Sequence, residues 1–275
     1  MSEKVIAFYD DLAGRGGEDA RASSSRSSGL EFHYTKKAMS EFITHESRVL
    51  ELGCGTGYYG MYFADKCKEY VGVELYQPHV DIFNNKIKKN VLTNVSCQQG
   101  NAMNLEDIDD NSFDVVCCLG PMYHLSQEDR EVVFAECARV CKPGGIAAFA
   151  YINKVGAYAG ACILWEDHYP NTEANNTILK QGISDDNPGV FHFTMPEEME
   201  ETANKYGLEK IRNMGTDFFV TMGVVNKMDD EKFEVYMELA DEMVKHESCT
   251  GMSNHALLIC KNSPTTQASK QTSNT

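Results

Sequence analysis

The stretch Val49-Leu50-Glu51-Leu52-Gly53-Cys54-Gly55-Thr56-Gly57 decides the fold of this 275-residue chain. An apolar strand that closes on an acid and runs into a glycine turn makes a cradle for a nucleoside cofactor. Glycine admits positive φ and lets a ligand approach the main chain without a Cβ in the way, and the helix that follows offers N–H groups with no intrahelical partner. A second acid is then expected about 20 residues on, at the tip of the next strand, to hold ribose hydroxyls. Glu74 stands there, closing Tyr70-Val71-Gly72-Val73-Glu74.

Dinucleotide enzymes also join a glycine turn to a ribose-binding acid, so the flanks must decide. Their fingerprint spaces the glycines as G-x-G-x-x-G, whereas Gly53, Gly55 and Gly57 are evenly spaced and preceded by Glu51. A pyrophosphate seeks a helix N-terminus without a carboxylate beside it. Glu51 suits instead a cofactor that carries an amine and a sulfonium. With these motifs the segment from Val49 to about Tyr151 resembles the class I S-adenosylmethionine-dependent methyltransferases of small-molecule type, such as the ubiquinone and menaquinone biosynthesis C-methyltransferases and the type 11 methyltransferases. The rest of the chain resembles them only in its order of elements.

The resemblance implies an α/β fold: a doubly wound, mostly parallel, seven-stranded Rossmann-like sheet with its last strand antiparallel, plus helical insertions. It also implies S-adenosyl-L-methionine as cofactor. Glu51 with Gly53, Cys54, Gly55 and Gly57 should face the methionine part, Glu74 the ribose, and Leu75, Asn101, Ala102 and Met103 the adenine, with Leu119 alongside. Asn101 departs from the Asp usual at its place. Its amide oxygen can accept from the adenine amine, without the charge assistance of a carboxylate.

Downstream pieces follow in order. Val95 to Gln99 is a predicted strand. Phe113-Asp114-Val115-Val116-Cys117-Cys118-Leu119 is an apolar run without alternation, as a strand covered on both faces should be. Gly120-Pro121-Met122-Tyr123-His124-Leu125 leaves its carboxyl end, where open α/β sheets place their ligands. Gln127 to Cys141 has helical spacing and stops at Lys142-Pro143-Gly144-Gly145, ahead of the strand Ile146 to Tyr151.

Before the first strand, Val5 to Asp10 is a short amphipathic start, Ala13 to Gly29 is rich in Gly, Ser and Arg, and Leu30 to Ile43 returns to helical spacing. Composition of the middle part does not build a core. Residues 1–45 are expected to cover the cofactor, Tyr9 or Thr35 reaching its methionine end, with a flexible linker and an ordinary packing helix as the competing reading. Residues 46–262 form the main domain. It carries excursions at about 154–192, with Tyr158, Ile163, Leu164, Trp165, His168 and Tyr169, and at 217–251, with Phe218, Phe219, Met222, Phe233, Tyr236, Met237 and Met243. Such excursions on a rigid scaffold usually set specificity. Thr194 reads as a helix cap with Glu197 three residues on. Residues 263–275 form an expected disordered tail.

Transfer of a methyl group from a sulfonium needs alignment and exclusion of water, and a base only where the acceptor is protonated. His124 and Tyr123 are the candidates for such assistance, with a pocket-wall role the alternative for each. His168, Tyr169 and His192 are weaker candidates. No metal is expected: His246 and Cys249 have H-x-x-C spacing without a second ligand pair, and a metal-dependent catechol reaction lacks its acid pair. Leu119 to Tyr123 lacks the Asn/Asp-Pro-Pro-aromatic motif of nucleic-acid amino methylation. Three positioned thiols for arsenite methylation are possible among the ten cysteines but have no supporting pattern.

A net charge of −16, from 25 basic and 41 acidic side chains, argues against nucleic acid as partner. No apolar run approaches the length of a membrane span and the first residues have no signal-peptide pattern, so a cytoplasmic location is expected. The cysteines are scattered and read as reduced thiols. A monomer or homodimer acting on a small-molecule substrate fits these properties. Two other classes stay open, a non-catalytic protein that binds S-adenosylmethionine or S-adenosylhomocysteine, and a dinucleotide-dependent oxidoreductase.

Overall fold

The computed structural model describes residues 3–13, 17–164, 173, 175–184, 187–218 and 223–263. Strands β1 (Arg48–Leu52), β2 (Glu69–Glu74), β3 (Val95–Gln99), β4 (Phe113–Cys118), β5 (Cys141–Ile152), β6 (Leu208–Gly215) and β7 (His255–Asn262) form one sheet in the order β3-β2-β1-β4-β5-β7-β6. β7 runs antiparallel to β5 and β6, and the other pairings are parallel. The order reverses between β1 and β4, which opens a crevice above their carboxyl ends. The fold is the expected Rossmann-like one.

Period-two alternation divides the sheet between two cores. Leu50, Leu52, Val116, Cys118, Ala147 and Phe149 meet α5 (Gln127–Val140) and α7 (Pro196–Lys205) on one face. Val49, Val115, Cys117, Ala148 and Ala150 belong to the opposite core, with α2 (Arg26–Met39), α3 (Tyr58–Phe63) and α4 (Gln77–Lys89). Further α-helices are α1 (Glu3–Ala13), α6 (Lys154–Leu164) and α8 (Asp230–Met243). At Lys142 to Gly145 the register jumps from Phe113↔Cys141 to Val115↔Ile146, so the Pro-Gly-Gly segment bulges from β5 and realigns it with β4.

Several local expectations are corrected. The Gly, Ser and Arg-rich stretch is not a plain linker: Glu18–Ser23 forms a 3₁₀ helix, and α2 starts at Arg26, four residues before Leu30, because Ser25 accepts from the N–H of Ser28. The cap of α7 lies one residue later than Thr194 and Glu197 suggested. Glu198 accepts from the N–H of Met195 at 3.0 Å and from the hydroxyl of Thr194 at 2.8 Å. None of the described residues of the second excursion lines the crevice cavity. Tyr236, Ala240 and Val244 join the core that holds Leu30, Tyr34 and Ala38, and Tyr34 donates to Asp241. Trp165, His168, Tyr169, Phe219, Met222 and the tail from 264 lie outside the described residues.

Candidate active site

Above the crevice lies a cavity of about 450 Å³. Its floor is the turn after β1. Gly53 has φ 68° and a Cβ there would stand 2.5 Å from Cδ of Pro121; Gly57 has φ 86° and a Cβ would stand 2.1 Å from Cδ2 of Phe83. Both positions therefore demand glycine, Gly53 so that the chain after β4 can close on it and Gly57 so that α4 can pack beneath.

Glu74 organises this turn from the end of β2. Its Oε2 accepts from the N–H of Gly55 at 2.8 Å and its Oε1 from the N–H of Tyr76 at 2.9 Å. Burial raises its pKa, against the backbone N–H groups that favour the carboxylate. Glu51 is 1% exposed, and its one hydrogen bond among the described residues comes from the hydroxyl of Tyr70 at 2.7 Å. Burial pushes its carboxyl up to about 8, opposed by that bond and aided by nearby Glu74. A buried acid so poorly paired would gain from a cation beside it.

Of the residues singled out in the sequence, Tyr9, Glu51, Gly53, Cys54, Gly55 and Glu74 line the cavity, as do Leu75, Ala102, Leu119, Tyr123 and His124. Gly57, Asn101 and Met103 do not. The Oδ1 of Asn101 accepts from the N–H of Met103 at 3.0 Å, closing its own turn, so the oxygen expected to meet an adenine amine is already engaged. Gly57 acts through packing. Thr35 is buried in α2 and is not part of the wall.

Tyr9 projects from α1, its hydroxyl 3.0 Å from Nε2 of His124. Nδ1 of His124 is 2.8 Å from the carbonyl oxygen of Val190. A carbonyl only accepts, so Nδ1 carries the proton and Nε2 presents its lone pair to Tyr9. Burial lowers the pKa of His124 to about 4. Tyr123 donates to Oε1 of Glu31 at 2.8 Å, and its pKa is raised by burial and then by Glu31, which removes it as a base at neutral pH.

A buried charge cluster was not anticipated. Nη1 of Arg21 donates to Oε2 of Glu31 at 2.9 Å and its Nε to Glu18 at 2.5 Å. Nδ1 of His255 lies 2.7 Å from Oδ2 of Asp217, and its Nε2 lies 3.9 Å from Oε2 of Glu31. Burial lowers the pKa of His255, but Glu31 and Asp217 outweigh it and lift the ring to about 9. Arg21, Glu18 and His255 line the cavity. Glu18, Arg21 and Glu31 come from the N-terminal part of the chain and Asp217 and His255 from its far end, with no spacing that links the two groups. The Arg in a Gly/Ser-rich stretch was the one available signal.

The glycine turn, the carboxylates of Glu51 and Glu74, and the crevice together form one concave site on a doubly wound sheet. Residues 49–145 match the family model of a methyltransferase domain. Over 100 residues the chain is 34% identical to the uncharacterized methyltransferase YcgJ of Bacillus subtilis, covering 36% of this chain and 38% of that protein. It is 29% identical over 163 residues to the ubiquinone biosynthesis O-methyltransferase of Methylococcus capsulatus, covering 59% of this chain and 63% of that one. It thus spans from about two fifths to less than two thirds of these relatives' length. In fold it is similar to an S-adenosylmethionine-dependent methyltransferase from Mesorhizobium loti, 14% identical, TM-score 0.55, with 86% of this chain and 99% of that chain covered. Residues 49–145 thus match a methyltransferase domain, set in a Rossmann-like fold shared with such enzymes.

The residues present fit S-adenosylmethionine. Glu51 offers a buried acid for an ammonium, Glu74 retains acceptor capacity at the ribose position, and Leu75, Ala102 and Leu119 give an apolar slot for a base. Among the described residues no group of three or more His, Cys, Asp or Glu could hold a metal ion, and no helix is long and apolar enough to cross a membrane.

Proposed function

We propose that this chain is an S-adenosylmethionine-dependent methyltransferase acting on a small-molecule acceptor. The observation that carries the reading is the underpaired, buried Glu51 beside a glycine turn organised by Glu74, within a segment that matches a methyltransferase domain. Bound S-adenosylmethionine would supply an activated methyl group on a sulfonium. Glu51 would hold its amino end and Glu74 its ribose. α1 and the Glu18–Ser23 turn close over them, with Asp19 bonded to Thr56 and to Lys86. This closure excludes water and fixes the geometry, a contribution worth about 7–11 kcal/mol in well-aligned reactions. His124, neutral and fixed in one tautomer, accepts a hydrogen bond at the methyl-transfer end and orients Tyr9 and the acceptor. The concave, aromatic-walled cavity, with Phe191, Phe193 and Tyr59 among its walls, supports a small acceptor over a polymer.

The test is incubation with S-adenosylmethionine labelled in its methyl group and fractionated small-molecule extracts, read by mass spectrometry. A labelled small product appearing in step with S-adenosylhomocysteine supports the reading. Tight cofactor binding without turnover in any fraction would favour a non-catalytic binding protein.

A further inference from the structure

Within the charge cluster, Glu18 reaches the glycine turn, whereas His255 lies away from it. β1, which bears the glycine turn, and β7, which bears His255, are separated by β4 and β5, roughly 14 Å at the usual strand spacing. His255 pairs with Ile152 at the carboxyl end of β5 and enters the cavity beside Tyr123, their ring centroids 5.7 Å apart, on the part of the wall away from the glycine turn.

The ring is rigidly held. Asp217 grips both the main chain and the side chain of His255: Oδ1 accepts from its N–H at 2.6 Å and Oδ2 lies 2.7 Å from Nδ1. Asp217 is itself fixed by Ser253, whose Oγ accepts from its N–H at 3.0 Å. With Nδ1 turned to Asp217, Nε2 is left facing the cavity. Its nearest carboxylate oxygen, on Glu31, is 3.9 Å away, beyond hydrogen-bond distance. The same Glu31 takes hydrogen bonds from Tyr123 and Arg21. The side chain of His255 keeps 18% of its surface accessible, and the rings of Tyr123 and Phe32 stand in the same wall.

Charge selects what can complete this site. Arg21 is matched by Glu18 and Glu31, and His255 by Asp217 and Glu31. A carboxylate or phosphate seated on Nε2 would add another negative charge beside Glu31 with both cations already matched. An ammonium would face the N–H of an imidazolium. An uncharged oxygen that only accepts fits both limits.

We propose that His255, held by Asp217, anchors the methyl acceptor by donating its Nε2–H to an uncharged carbonyl oxygen, that of a ketone, amide or ester, on an aromatic or apolar body. This rests on the methyltransferase reading of the same cavity.

The probes are benzamide, benzoate and benzylamine, three near-isosteric molecules that differ in charge, titrated up to about 10 mM into the full chain saturated with S-adenosylhomocysteine. Benzamide should bind at least about tenfold more tightly than either charged probe. His255→Phe should lower benzamide affinity about tenfold, and His255→Gln, which keeps an N–H donor, should stay within about threefold of wild type. S-adenosylhomocysteine affinity in both variants should be unchanged, which also reports that they are folded. Tighter binding of benzoate or benzylamine, no binding of any probe, or equal benzamide binding by His255→Phe overturns the anchor. Failure of wild type to bind S-adenosylhomocysteine overturns the methyltransferase reading beneath it.

Discussion

The hydroxyl of Tyr9 lies 3.0 Å from Nε2 of His124, and Val190 fixes the opposite nitrogen of that ring. A helix from the first residues of the chain thereby closes on the loop after β4. With its pKa lowered to about 4, His124 stays neutral across the working range. The pH profile of kcat/KM should therefore show no limb from this residue near the ordinary histidine value of about 6.5. His124→Gln should lower turnover about tenfold or more while leaving cofactor affinity within about threefold. A limb near 6.5 that vanishes in the variant would contradict a permanently neutral ring.

Glu51 titrates in the opposite sense. Lifted to about 8 by burial, it is largely protonated at pH 7 before the cofactor arrives. An ammonium placed beside it favours the carboxylate, so binding should release a proton. Calorimetric enthalpies measured in phosphate and in Tris should differ accordingly, and Glu51→Gln should abolish the difference and weaken binding about tenfold. Equal wild-type enthalpies in the two buffers would remove the ammonium from Glu51.

At Gly57 two costs coincide, since the residue has φ 86° and a Cβ would enter the ring of Phe83. Gly57→Ala should destabilise the fold by about 2–4 kcal/mol, read as a lower urea midpoint. An unchanged midpoint would mean that the turn and α4 can separate without loss.

His255 links pH to stability. Its folded pKa of about 9 exceeds the ordinary value of about 6.5, so the stabilisation is fully present below about 6.5 and is lost as pH rises through 9. The groups facing the ring are Asp217, Glu31, Arg21 and the edge of Tyr123. The unfolding free energy of wild type should fall by about 3 kcal/mol more than that of His255→Gln across this window. Parallel curves would show the ring to be neutral in the fold.

The strands and the cofactor turn were legible because their signals are local: an apolar run, an acid, spaced glycines. Burial of β4 on both faces was visible in its lack of alternation. The charge cluster was not, because Arg21, Glu31, Asp217 and His255 meet only through the docking of α2 and the antiparallel pairing of β6 with β7. Composition misled at residues 17–29, where a serine cap and the ion pairs of Arg21 order a stretch that looks like a linker. At Asn101 the residue type was read for a ligand, yet the nearest donor is the main chain two residues on. The aromatic content of the second excursion signalled burial against α2, which a sequence alone does not distinguish from a pocket wall.

The most direct test of the cofactor assignment is calorimetric titration of the purified chain with S-adenosylmethionine, S-adenosylhomocysteine and NADH. One site for each of the first two, with no heat from NADH, is the expected result. Binding of NADH in their place, or of none of the three, would contradict it.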